Sequence, residues 1–377
     1  MTGTSGHRAY LDHASTSPAR AEAVAAMRAW YDGDGADPGR LHQEGMASRV
    51  ALEVAREQLA ALVGSRPREV VFTSGATEAI AAASWGARER DPARDHVVLA
   101  GVEHSAVREW AARGRYSVVG VDHLGRVDPD ELLGAVHERT ALVQLQWANH
   151  EVGTLQPVVE VVERCRDRGV LVHLDAAQAV GRCDVRFTEL GADLLSVSGH
   201  KFGGPPGTGA LLVRRGLRLS PLLVGGDQER ARRAGMENVP ALVGLGAAAD
   251  ALAGAVEAEA SAQQRLSGRV LDWAVSTEGV SVLGDPVDRV PHLVCLGLEG
   301  VEPQPVLLGL DQAGVAVHSG SSCSTESLEP SPVLEAMGVD AARSLRISVG
   351  WSTGDADVDR LLDSLPGVLE RLRALGR

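Results

Sequence analysis

A chain of 377 residues, 44% hydrophobic and 23% charged, has room for a substantial core and lacks the polar bias of a disordered protein. Its formal net charge of −13 argues against direct nucleic-acid binding, because affinity for a polyanion comes from clustered Lys and Arg. Four cysteines without paired spacing, no apolar leader and no uninterrupted apolar span give the expectation of a cytoplasmic protein with reduced thiols, no metal and no membrane segment.

Strand-length apolar runs alternate with helical patterns through the first 215 residues. Residues 69–75, 96–104, 116–122, 141–149, 170–178, 192–201 and 209–215 read as buried strands. Between several of them lie segments such as 157–169, apolar at helical spacing with a glycine at the end. This alternation predicts a mostly parallel sheet with helices on both faces, an architecture that binds ligands beyond the C-terminal ends of its strands. The Ala-rich stretch 241–260, interrupted by Asp250, Glu257 and Glu259, reads as one packed helix. From about residue 281 a second mixed pattern predicts a smaller α/β domain that the N-terminal residues join. The expected division is 14–255 for the large domain, and 1–13 with 256–377 for the small one.

Of the 37 Lys and Arg residues, Lys201 is the sole lysine. A bias toward Arg erases lysines wherever either cation serves, but not one whose chemistry needs a primary amine. An ammonium can be desolvated to a lower pKa and condense with a carbonyl, whereas a guanidinium stays protonated. Lys201 is therefore a candidate for covalent chemistry, chance survival on a loop being the alternative. Just after it, "GPPGTGAL" (204–211) imitates a nucleotide-binding loop, but Ala210 and Leu211 stand where that motif needs a lysine and a hydroxyl. The run reads as a turn into a strand.

In "FTSGATEA" (72–79) a strand ends, Gly75 turns the chain, and Ala76 and Thr77 open a helix. Such a turn either holds an anion on free N–H groups or is only a cap. Asp175 closes "VLVHLD" (170–175), one crossover and a return strand ahead of Lys201, so both can reach one rim of the sheet. There it is a helix cap or the partner of a buried cation such as a pyridinium nitrogen. His104 closes "LAGVEH" (99–104) and offers a flat ring, while Gln178, Ser198 and His200 supply donors nearby. An amine for an aldehyde, a carboxylate for a ring nitrogen, a helix end for a phosphate and a ring for stacking together describe pyridoxal 5'-phosphate.

The motifs "YLDHASTSP", "FTSGATEA", "VEHSAV", "WANHEVGTLQP", "HLDAAQAVG", "SGHKFGGPPGTGAL", "ERARRAGMENVP", "SGSSCSTESLEPSPVL" and "SLRISVG", in that order, resemble those of cysteine desulfurases of the NifS/IscS type. These are class V aminotransferase-like enzymes of fold-type I. The resemblance implies a PLP-dependent transferase whose large domain holds a mostly parallel mixed sheet sandwiched by helices, beside a smaller α/β domain. It also implies a homodimer that takes sulfur from L-cysteine, leaves L-alanine and forms a persulfide on an enzyme cysteine. By resemblance, Lys201 binds the cofactor, Asp175 pairs with its ring nitrogen and His104 stacks on the ring. Ala76, Thr77, Ser198, Gly199 and His200 lie at the phosphate, and Gln178 and His150 at the ring oxygen. Arg346 clamps the substrate carboxylate, with Asn149 and Ala14 beside the substrate. Cys323 is the nucleophile. Its neighbours are Ser, Thr and Gly, whereas Cys165, Cys183 and Cys295 lie in helical or apolar contexts that favour a buried, inert thiol.

The chain departs from the family pattern at three positions. His150 stands where the family places a second Asn, and an imidazole changes protonation near neutral pH. By the resemblance, Met236 replaces a Thr that reaches the cofactor phosphate from the neighbouring subunit, and Asp37 replaces an Asn. Other readings are a selenocysteine lyase, a class V transaminase, or a silent scaffold that binds a sulfur-carrier protein. The sulfur acceptor is left open among iron–sulfur cluster assembly, tRNA thiolation, a sulfur-containing natural product and DNA backbone thiolation.

Overall fold

The computed structural model describes residues 8–33, 35–320 and 330–375, and in it all seven expected strands form, six of them buried and the one at 115–119 largely exposed at the edge of its sheet. A short strand β1 (Ala9–Tyr10) precedes β2 (Val70–Thr73), β3 (His96–Ala100), β4 (Arg115–Val119), β5 (Thr140–Gln146), β6 (Leu171–Asp175), β7 (Leu194–Ser198) and β8 (Gly209–Val213). The seven strands from β2 onward make one sheet in the order β2-β8-β7-β6-β5-β3-β4. β8 alone is reversed in direction, pairing antiparallel with β2 and β7, and the remaining pairs are parallel. The C-terminal ends of β2, β3, β5, β6 and β7 therefore share a rim with the start of β8.

Alternate residues of each strand serve different cores, as the two-residue period of a pleated strand requires. Val98, Val143, Leu174 and Val197 face one apolar cluster, while Val97, Leu99, Leu142 and Leu194 face another. Helices α1 (Ala21–Tyr31), α2 (Gln43–Leu62), α3 (Ala76–Arg90) and α4 (Ser105–Ala111) belong to this unit. Every strand of this sheet except the edge strand β4 is buried along its whole length, which is why those runs are largely apolar: both faces are covered.

Beyond residue 275 come β9 (Val280–Leu283), β10 (Leu293–Leu298), β11 (Val315–Ala316) and β12 (Ser344–Ser348). β10 pairs antiparallel with β9 and β12, and β1 pairs parallel with β11. A separate apolar cluster unites Ala9 and Leu11 with Val270, Leu296, Ile347 and Leu361.

The expected single helix over 241–260 is instead two, Val239–Ala253 and Val256–Val275, bent by 78°. Gly254 ends the first helix, and the Ala255 N–H folds back to Leu252 O at 2.8 Å. The first helix is buried nearly all round, whereas the second buries one stripe through Leu266 and Val270. Two different surroundings demand two axes. No single helix among the described residues is long and apolar enough to cross a membrane.

Candidate active site

β7 ends at Ser198, and one 3-10 turn, Gly199–Lys201, carries the chain over the rim of the sheet. The Lys201 amine donates to Ala14 O. Burial, reinforced by the nearby Arg346 cation, brings its pKa down to about 7. Asp175 ends β6, in register with Gln146 of β5 and Ser196 of β7. Its Oδ1 accepts from Ser196 Oγ and from the Ala177 N–H, each at 3.0 Å. Lys201 and Asp175 both line a cavity of about 440 Å³ at the strand ends.

The start of α3 forms another wall of that cavity, with Ala76 and Thr77. The first helical bond here runs from Ala79 N to Gly75 O at 3.2 Å, so the N–H groups before it have no intrahelical acceptor. The turn is pinned by Thr73 Oγ1 to Gly75 O at 2.9 Å and by Ser74 N to Glu78 Oε2 at 2.9 Å. β8 crosses directly beneath, where a Cβ on Gly209 would sit 2.6 Å from Gly75 Cα. Ser198 and His200 line the same cavity. His200 is taken down to about 4 by burial and by Lys201, and its Nδ1 lies 3.1 Å from Thr16 Oγ1.

His104 lies beyond the end of β3, where it caps α4, not in the strand. Its Nδ1 accepts from Ala106 N at 3.1 Å. Burial, and then His150, take its pKa down to about 4. The ring is thus neutral at pH 7 with its proton on Nε2. The His104 and His150 rings meet edge to face, 5.2 Å between centroids, and both line the cavity.

Gln178 lines it too, while its amide donates to Ala14 O at 2.8 Å and its oxygen meets His292 Nε2 at 3.2 Å. Four expected site residues are not on this wall. Asn149 is buried and turned into its own loop, accepting from Glu151 N and Val152 N at 2.8 Å. Ala14 and Gly199 are buried behind Lys201. Arg346, on β12, is 1% exposed and bonds Asp12, Ser15 and the His150 carbonyl.

Cys323 lies outside the described residues. The other three thiols are driven up by burial, Cys165 and Cys295 to about 12 and Cys183 to about 11, which keeps them protonated at neutral pH. Met236 is exposed and lines a smaller cavity with Ser74 and Gly207, which also line the main one. Asp37 caps Gly39 N at 2.8 Å, away from this site. The sequence reading passed over Ser196, Gln146 and Asp12. Polar Gln144 and Gln146 alternating in an apolar strand, and Ser196 two residues before Ser198, were the available signals.

A buried amine of lowered pKa, a carboxylate at the neighbouring strand end and a helix N-terminus surround one cavity on a mostly parallel sheet; that combination defines a fold-type I enzyme site. The aminotransferase class-V family model matches residues 9–361. A cysteine desulfurase of Gluconacetobacter diazotrophicus is 40% identical over 97% of this chain and 94% of its own. Cysteine desulfurase IscS 1 of Archaeoglobus fulgidus is 38% identical over 97% and 98%. Among solved structures, a NifS-like protein superposes with a TM-score of 0.90 at 29% identity, over 97% of this chain and 100% of that one. SspA in complex with cysteine gives 0.80 at 29% identity, over 91% and 99%. The chain belongs to the class V aminotransferase family, among its cysteine desulfurases.

Proposed function

We propose that this enzyme is a cysteine desulfurase that holds pyridoxal 5'-phosphate in the 440 Å³ cavity and passes sulfur from L-cysteine to Cys323. The observation that carries the reading is Lys201, the chain's sole amine side chain, buried on that wall with a pKa near 7. The donor set fits the cofactor. An amine whose pKa burial brings down to about 7 suits an aldehyde, Asp175 suits a ring nitrogen, and the open turn of α3 with Thr77, Ser198 and His200 suits a phosphate.

When bound, the cofactor supplies an electron sink for substrate bonds. Lys201 then carries protons at the substrate carbons, the role a pKa near the working pH favours. His104, its Nδ1 committed to Ala106 N, stacks and donates from Nε2. Arg346 holds the substrate carboxylate. At Cys323 the thiolate attacks the substrate sulfur: the carbon–sulfur bond breaks, a sulfur–sulfur bond forms, and the β-carbon takes up a proton. L-cysteine and a thiol become L-alanine and a persulfide, with no outside oxidant. A separate apolar cluster of Ala9, Leu11 and residues from Leu266 onward supports the division into 14–255 and the remainder, although Cys295, Val333, Leu334 and Met337 pack into the core of the large sheet; exposed Leu223, Val224 and Met236 support a homodimer. A sulfur-acceptor protein of one of the pathways above, met in the cytoplasm, completes the reading.

The test uses two variants. K201R is expected to lose the visible absorption of the bound cofactor, and C323A to keep it while losing release of alanine from cysteine. A wild-type absorption band in K201R would remove the central assignment.

A further inference from the structure

A guanidinium that clamps a substrate carboxylate must have an edge free to do so. Arg346 does not. Its Nη1 donates to His150 O at 2.8 Å, and its Nη2 to Asp12 Oδ1 at 3.0 Å and Ser15 Oγ at 2.6 Å. The Ser15 hydroxyl donates in turn to Asp12 Oδ1 at 2.9 Å. Nε is buried and has no partner among the described residues. Nε–H and Nη2 lie along the same edge of the guanidinium plane, the edge that takes a carboxylate with two parallel bonds. Among the described residues, Nε has no partner on that edge and Nη2 is held by Asp12.

This arrangement has a physical reason. Arg346 is buried, and a buried cation without a counter-charge is costly. The Asp12 side chain, 17% exposed against 2% for that of Arg346, supplies the charge and is the partner nearer to water. We infer that Asp12 is a stand-in for the substrate's α-carboxylate. It occupies Nη2 until the substrate arrives, Ser15 steadies it there, and the incoming carboxylate takes the Nε and Nη2 edge as Asp12 turns outward. This rests on Arg346 being the carboxylate clamp.

Asp12 thereby becomes a specificity-determining residue. A ligand without a carboxylate has nothing to offer Arg346 in exchange, so Asp12 keeps its place and the clamp stays closed. A ligand that has one competes, and its apparent affinity is lowered by the fraction of molecules in which Asp12 holds the edge.

The cofactor-loaded enzyme can be titrated calorimetrically with propionate, a carboxylate without amine or thiol. In D12N the neutral amide competes poorly, and the propionate Kd is expected to fall at least about threefold below wild type. S15A keeps both charges and is expected to shift in the same direction by less. Equal or weaker propionate binding in D12N overturns the inference, because a purely structural anchor would loosen the clamp when removed. If D12N does not fold, S15A decides by the same criterion. R346Q separates the two levels: propionate bound by R346Q as by wild type would discard the clamp itself. Loss in R346Q without gain in D12N or S15A would discard only the role of Asp12.

Discussion

Burial takes Lys201 to about 7, while a lysine in an unfolded chain titrates near 10.4. Between those values the unfolded chain binds the extra proton, so the cofactor-free protein gains stability as pH rises from 7 through that window. Below 7 both states hold the proton and the dependence vanishes. The urea midpoint of cofactor-free protein should therefore be higher at pH 9 than at pH 7, and K201M should flatten that difference; parallel curves would contradict burial of the amine. Met236 makes a second residue-scale prediction. Its thioether offers no donor beside a cavity that shares Ser74 and Gly207 with the main one. Replacing it with Thr should strengthen cofactor retention by roughly 1.5–3 kcal/mol if the hydroxyl reaches the phosphate. Equal saturation of M236T and parent after dialysis would refute this. Lys201 and Asp175 were legible because polar residues at the ends of apolar strands have few structural excuses. The reach of Asn149 was not, because its amide turned inward to satisfy two backbone N–H groups.

The decisive element-scale contact is between β8 and the turn before α3. A Cβ at Gly209 would stand 2.5 Å from Val197 O and 2.6 Å from Gly75 Cα, and backbone atoms cannot swing aside as a side chain can. G209A should therefore cost about 1–3 kcal/mol of stability and also weaken phosphate binding, since the shift falls on the α3 terminus. A urea titration alongside inorganic phosphate binding checks both; a variant as stable as wild type would show that the two backbones are not in contact. The strands were legible as elements from their apolar runs, their ends less so. His104 was read as closing a strand, but β3 stops at Ala100 and the histidine caps α4, because its ring nitrogen accepts a helical N–H. The break at Gly254 was also missed. One glycine in an alanine-rich pattern is compatible with a continuous helix, and only packing on different neighbours forces the bend.

For the whole molecule, the apolar side chains Leu223 and Val224 and the thioether of Met236 are exposed, and the cavity that Met236 lines shares Ser74 and Gly207 with the 440 Å³ one. Covering them with a second copy removes that surface from water. Sedimentation equilibrium should accordingly return twice the 39.5 kDa chain mass, and a single-chain mass at micromolar concentration would refute the dimer. The segment 9–17 also acts at this scale. It starts in the smaller apolar core through Leu11, ties Ala14 N to Ser348 Oγ at 2.8 Å, and presents Ala14 O to Lys201. The amine is thus held by a stretch of chain nearly two hundred residues away.

By itself the sequence determined the seven strands of the large sheet, its mostly parallel character, the lone amine and the order of motifs that marks the family. Those are local or periodic properties: strand burial on two faces leaves continuous apolar runs, and chemistry leaves one lysine where arginine will not serve. Tertiary structure decided which polar groups meet. That Asp12 and Ser15 hold Arg346, that the His104 and His150 rings meet, and that Lys201 leans on Ala14 O follow from long-range packing, which brings together residues whose separation along the chain carries no record of the encounter.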